Sequence, residues 1–219
     1  MGLGAGAGGG PDGGDVSPAF EAVLFDLDGV LIHSRPAWFA LLERLCRELG
    51  YPELDEARFA SIWGQGIEAD AETLFVHHTV EELSALYDAH FLEHADAMQI
   101  DPEGAGVFEA LAQAGVGIAV VTNTPQPLAD ALLRVAGLDP PVRIGGTDCP
   151  RAKPAPDMVL LATARLGVSP EDALMVGDTE ADRGAAQDAG VTFCGFGGID
   201  GDLVARRLSD VLQIVLGDT

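Results

Sequence analysis

The sequence predicts an α/β fold: a doubly wound, Rossmann-like parallel sheet with an α-helical segment inserted after its first strand. Three observations carry this. Apolar runs such as Ala22–Phe25, Gly117–Val121 and Ala173–Val176 are short, unbroken and followed by polar clusters, as in strands buried on both faces. From Pro102 onward such runs alternate with helical periodicity, the pattern of right-handed β-α-β units. Between residues 36 and 98 the periodicity is helical throughout, with no strand pattern.

Met1–Asp15 is almost all Gly and Ala, so residues 1–18 are expected to be a flexible tail. It has no basic end and is not expected to be a secretory signal. The opening strand is expected over Ala22–Asp28. From Pro36 to Gly50, Trp38, Leu41, Leu42, Leu45, Cys46 and Leu49 recur at spacings of three and four, an amphipathic helix stopped by glycine. Further helices are expected over Asp55–Trp63, Glu68–Phe75 and Val80–Asp96. Beyond them helices are expected over Val107–Ala114, Pro127–Ala136, Pro156–Leu166 and Ala181–Ala189. The other strands are Gly117–Val121, Val142–Ile144, Ala173–Val176 and Val191–Phe196, the last clear one. Residues 19–35 and 99–219 are thus expected to form the core, and 36–98 an inserted helical cap.

Composition limits the options. A chain of 219 residues, 47% hydrophobic, can hold one ample core or a core with a small second domain. No apolar run approaches the roughly 20 residues of a membrane span, so a soluble protein is expected. Thirty-five acids against twelve bases give a net charge of −23, a surface that repels nucleic acid and anionic lipid. Neither is expected as a partner. Cys46, Cys149 and Cys194 are scattered and odd in number, which fits reduced thiols in a cytoplasm. Among the twelve bases one is a lysine, Lys153. A chain that uses arginine everywhere else has a use for it.

Asp26 and Asp28, two apart after a buried strand, are expected to face one small volume at the carboxyl end of a sheet, where ligands bind. Two acids there repel unless a cation or a shared proton intervenes, which points to a hard metal or an acid/base pair. The alternative is a polar Asp-Gly turn. Three more polar clusters follow strands or precede helices: Thr122-Asn123, Ala152-Lys153-Pro154 and Gly177-Asp178-Thr179-Glu180-Ala181-Asp182. Each alone could be a helix cap or a turn. Four in order make a coherent site.

These stretches, DLDGVL, VVTNT, AKPAPD and VGDTEAD, resemble the four motifs of the haloacid dehalogenase-like hydrolases, and AAQDAGV resembles the family's usual continuation after the fourth. The resemblance covers nearly everything past the tail, and the inserted helices are similar to the family's first cap class. It implies Asp26 as nucleophile, forming an aspartyl-phosphate, and Asp28 as general acid/base. It implies Mg²⁺ held by Asp26, the Asp28 backbone carbonyl and Asp178, with Asp182 orienting metal or water. Thr122, backbone amides near Asn123 and Lys153 resemble the cradle of the phosphoryl oxygens. Dehalogenases of the family lack an acid at the position of Asp28, so its presence implies phosphoryl transfer to or from an alcohol. Ala152 stands where the third motif commonly has Gly, a mild departure.

The resemblance further implies that the cap chooses the substrate. Gly64-Gln65-Gly66 is the candidate loop, with Gln65 available to a hydroxyl or carboxylate, or else a plain helix-to-helix turn. His33 and Arg35 fall at the expected hinge, His77 and His78 on an exposed cap edge, and Trp38 and Trp63 at packing positions. TNTPQPLADALLRVAGL looks most like phosphoglycolate phosphatase-type members. The expected activity is therefore Mg²⁺-dependent hydrolysis of a small phosphorylated metabolite, phosphoglycolate-like or a sugar phosphate, by a monomer or homodimer. A β-phosphoglucomutase-like transferase is the alternative, and an inactive binding protein a further one.

Overall fold

A computed structural model describes residues 17–217. Residues 1–16 of the expected tail lie outside the described residues. The strands are β1 (Ala22–Phe25), β2 (Ile32–His33), β3 (Gln99–Ile100), β4 (Gly117–Val121), β5 (Val142–Ile144), β6 (Ala173–Gly177), β7 (Thr192–Phe196) and β8 (Leu203–Ala205). The α-helices are α1 (Arg35–Leu49), α2 (Glu56–Ile62), α3 (Ile67–Thr73), α4 (Val80–His90), α5 (Gly104–Gln113), α6 (Gln126–Ala136), α7 (Asp157–Leu166), α8 (Glu180–Ala189) and α9 (Leu208–Leu216).

Six strands form one parallel sheet in the order β5-β4-β1-β6-β7-β8. β1 is central, and the chain winds outward from it in both directions, the doubly wound arrangement the sequence predicts. Alternate residues explain why its strands are apolar throughout. Val23, Phe25, Ile118, Val120, Leu174 and Val176 join a core with α5, α6 and α9. Ala22, Leu24, Ala119, Val121, Ala173 and Met175 join a second core with α7 and α8 on the opposite face. Each face hides half of every central strand, and each fully buried large aliphatic contributes about 1.5–3 kcal/mol. Register levels the strand ends: Phe25 lies opposite Val120 of β4 and Val176 of β6.

The segment between β2 and β3 is helical, and those two strands pair antiparallel at its base, Ile32 with Ile100 and His33 with Gln99. Its apolar side chains, among them Leu41, Leu45, Phe59, Tyr87 and Phe91, extend the first core. Left-handed glycines end α1, α6, α7 and α8, as the sequence signals suggest.

Several expectations need correction. β1 ends at Phe25, not Asp28. The Asp26 N–H still bonds the Val176 carbonyl at 2.9 Å, but Leu31 and Ile32 then fold back onto the Leu27 carbonyl, so Asp28 stands on a tight loop. Gly29 makes that loop with φ +89°, and the Asp178 carboxylate occupies the space a side chain there would need. The helix expected over Val80–Asp96 stops at His90 and tightens to a 3₁₀ segment, Phe91–Ala97, with a 2.7 Å His90–Glu93 pair at i,i+3. The chain also adds β8 and α9 beyond Phe196. Three residues of β8 are too few to show alternation, and α9 is a nonapeptide that buries Leu208, Val211 and Val215.

Candidate active site

The carboxyl ends of β5, β4, β1 and β6, neighbours in the sheet, deliver Lys153, Thr122, Asp26 and Asp178 to one place. Lys153 is the hub. Its buried ammonium donates to Asp26 Oδ1 at 2.8 Å, Asp182 Oδ1 at 2.6 Å and the Val121 carbonyl at 2.7 Å, which uses all three donors. Burial opposes its charge, but the Asp182 and Asp26 carboxylates outweigh burial and hold its pKa above that of an ordinary lysine.

Asp182 spends both oxygens. One accepts from Lys153; the other accepts from the Thr179 backbone N–H at 3.1 Å and hydroxyl at 2.6 Å, closing a capping box on α8. Asp26 is 5% exposed, and its pKa is raised well above the usual range by burial and then by Asp182, with Lys153 opposing. Asp178 is pushed up to about 7 by burial and by Asp182, while the Trp63 indole lying against it pulls the other way. Its Oδ1 is buried and has no hydrogen-bond partner among the described residues.

Asp26, Asp178 and Asp182 each place a carboxylate oxygen within 4.8 Å of the other two. These acids face a single ammonium, and Asp178 offers an uncommitted oxygen. An all-oxygen donor set with surplus negative charge fits a hard divalent cation. The Asp28 carboxylate is not one of this group. It accepts from Ser34 Oγ and Trp38 Nε1 (3.0 Å) on one oxygen, and from Thr124 Oγ1 (2.6 Å) and Thr122 Oγ1 (3.3 Å) on the other. Four donors from three elements fix its orientation.

Asn123 has a further use. Its side chain clamps the loops, donating to the Gly64 and Lys153 carbonyls, both at 2.8 Å, and accepting from the Lys153 N–H at 2.8 Å. Gln65 lines the pocket, but its amide donates to Asp70 Oδ1 at 2.6 Å and Thr73 Oγ1 at 3.3 Å. His33 approaches Asp101 at 3.8 Å, and Arg35 pairs with Glu56. His78 is half-buried, bonded to Tyr51, whereas His77 is exposed.

Sequence reasoning missed Ser34, Thr124, Asp70 and Tyr87, and the polar use of Trp38. Trp38 packs against Tyr87 and Phe91, with ring centroids 5.3 and 4.5 Å away, yet its N–H reaches Asp28. A signal existed for Asp70: it breaks the apolar row Ile67–Asp70–Leu74 on the inner face of α3, where an unexplained acid asks for a partner. That partner is Tyr87, donating at 2.8 Å.

A doubly wound sheet with a buried acid–lysine cluster at its switch point, roofed by inserted helices, defines a class of enzyme. A sequence profile of haloacid dehalogenase-like hydrolases matches residues 20–190, and the chain belongs to that family. A phosphoglycolate phosphatase of Pectobacterium atrosepticum is 31% identical over 90% of this chain and 93% of its own. One from Aquifex aeolicus is 34% identical over 78% of this chain and 81% of its own. A β-phosphoglucomutase structure from Clostridium difficile superposes with a TM-score of 0.75 at 18% identity, covering 88% of this chain and 93% of that one. Within the family the chain is a phosphoric monoester hydrolase. No helix among the described residues is long and apolar enough to cross a membrane.

Proposed function

We propose that the chain is a Mg²⁺-dependent phosphatase that hydrolyses a small phosphate monoester through an aspartyl-phosphate on Asp26. The observation that carries this is the Lys153 hub, which holds Asp26 at the strand ends beside the Asp178 oxygen that has no partner. The Asp26 carboxylate attacks phosphorus, the ester P–O bond breaks, and Asp28 gives a proton to the departing alkoxide. Asp28 then takes a proton from water, whose oxygen attacks phosphorus. Phosphate leaves and Asp26 is restored.

Asp26, Asp178 and the Asp28 backbone carbonyl would hold the metal, with Asp182 fixing Lys153 behind them. Bound there, Mg²⁺ offsets the repulsion between the carboxylates and the phosphoryl group. Thr122, Lys153 and the backbone amides around Asn123 would receive the phosphoryl oxygens, Thr122 and Lys153 each giving up a present acceptor to do so. Residues 36–98 serve as a cap on a core of residues 19–35 and 99–219, in a soluble cytoplasmic protein. The name its relatives carry makes phosphoglycolate the first ester to try.

The test is phosphate release from a panel of esters with Mg²⁺ or EDTA, beside Asp26→Asn. Release should require both metal and Asp26. Isomerisation of β-glucose 1-phosphate without phosphate release would refute the hydrolase in favour of a mutase.

A further inference from the structure

A pocket opens between the acid cluster and the helical segment above it, lined by residues of both. Its roof contradicts what a carboxylate-bearing substrate needs. Resting on the phosphatase reading, we propose that this pocket accepts phosphate monoesters whose alcohol part is uncharged or carries an ammonium group, and disfavours those carrying a carboxylate.

Positive charge is scarce in the pocket's own lining. Of the described residues lining the pocket, Lys153 is the one Lys or Arg, and it sits at the phosphoryl end, against Asp26, Asp182 and Val121, not in the roof. Two guanidinium groups of the helical segment are engaged elsewhere and do not line the cavity: Arg35 lies 4.9 Å from the Phe59 ring centroid and pairs with Glu56, and Arg58 donates to the Thr73 carbonyl. The roof contributes an acid instead: Asp70, 7% exposed and lining the pocket.

Neutral donors could still hold a carboxylate, but here they are taken by acids. The Gln65 amide and the Tyr87 hydroxyl both donate to Asp70, at 2.6 and 2.8 Å. The Trp38 N–H donates to Asp28 at 3.0 Å. The Gln65 backbone N–H is used by the Ile62 carbonyl. The remaining roof is hydrocarbon: Leu42, Phe59, Ile62 and Ile67. A carboxylate seated here would lose its water, gain no cation and face Asp70, a costly combination. An uncharged alkyl or aryl alcohol meets the apolar and aromatic faces. An ammonium group gains Asp70 as a counter-charge as well.

The experiment compares kcat/KM for propyl phosphate, 2-aminoethyl phosphate and phosphoglycolate, esters of similar length, with p-nitrophenyl phosphate as a reference. Phosphoglycolate should fall roughly tenfold or more below propyl phosphate, and 2-aminoethyl phosphate should equal or exceed it. Asp70→Asn should narrow the phosphoglycolate deficit several-fold and reduce the ammonium ester's standing. Should that variant not fold, the ranking by the unaltered protein still decides. Phosphoglycolate turned over as well as propyl phosphate, or better, overturns the selectivity and leaves the phosphatase standing. Folded protein that releases phosphate from none of the four overturns the phosphatase reading and this inference with it.

Discussion

Lys153→Met tests whether the acid cluster depends on its single ammonium. The substitution removes two buried ion pairs, at 2.8 and 2.6 Å, and the bond to the Val121 carbonyl, while leaving a stem of similar shape. Removing one partner of a buried pair costs about 3–5 kcal/mol, because the charge left behind has neither water nor counter-ion. Asp26 escapes part of this by taking up a proton, so the expected loss is near the lower figure, about 3 kcal/mol at pH 8. For a chain of this size that lowers Tm by about 6–12 °C. The sign with pH follows from Asp26. Its folded pKa is already raised, and loss of Lys153, the one group lowering it, raises it further. A carboxyl raised on folding costs stability as pH climbs past its unfolded value, so the deficit should be larger at pH 8 than at pH 5.5. Urea unfolding at both pH values, followed by circular dichroism, measures this. A loss under about 1 kcal/mol, or one equal at both pH values, refutes the picture of Lys153 as the counter-charge.

Other expectations concern neighbouring groups. Asp70 is raised to about 6 by burial, against the bonds from Gln65 and Tyr87, so its ionisation should cost about 3 kcal/mol of stability, accumulating between roughly pH 4 and 6. Asp70→Asn should therefore gain on the unaltered protein as pH rises through that window, and a constant difference between pH 4 and 7.5 would contradict it. Thr179→Ala removes the cap of α8 and a donor to Asp182, for a loss of about 1–2 kcal/mol in chemical denaturation and a drop in phosphate release. Trp38→Phe keeps the packing on Tyr87 and Phe91 but deletes a donor to Asp28. It should lower kcat about tenfold with little change in KM; a change confined to KM would mean the indole serves binding rather than Asp28.

The centre of the sheet was legible because β1, β4 and β6 are apolar on both faces and end at polar clusters, and the clusters pointed to Asp26, Asp28, Thr122, Lys153 and Asp178, which the fold brings together. What the chain hid were contacts between distant residues with no pattern of their own. Ser34, Trp38 and Thr124 converge on Asp28 only because α1 starts beside the Asp28 loop and β4 ends beside it. Gln65 looked free to bind a ligand because nothing in Gly64-Gln65-Gly66 says that Asp70 waits one helical turn further on. Strand β8 escaped for a different reason: it is an edge of three residues whose place comes from pairing with β7 rather than from its own composition.

The levelled strand ends also say where this chain can and cannot be edited. Asp26, Thr122 and Asp178 meet because each follows, by a set count of residues, the rung shared by Phe25, Val120 and Val176. One residue added inside β1 would carry Asp26 about 3.3 Å along and turn it to the other face of the sheet. The same residue added among Gly167-Val168-Ser169, between α7 and the turn into β6, would leave all four strand ends where they are. Length between the rungs is free to drift; length within them is not, and the chemistry is addressed by rung rather than by position in the chain.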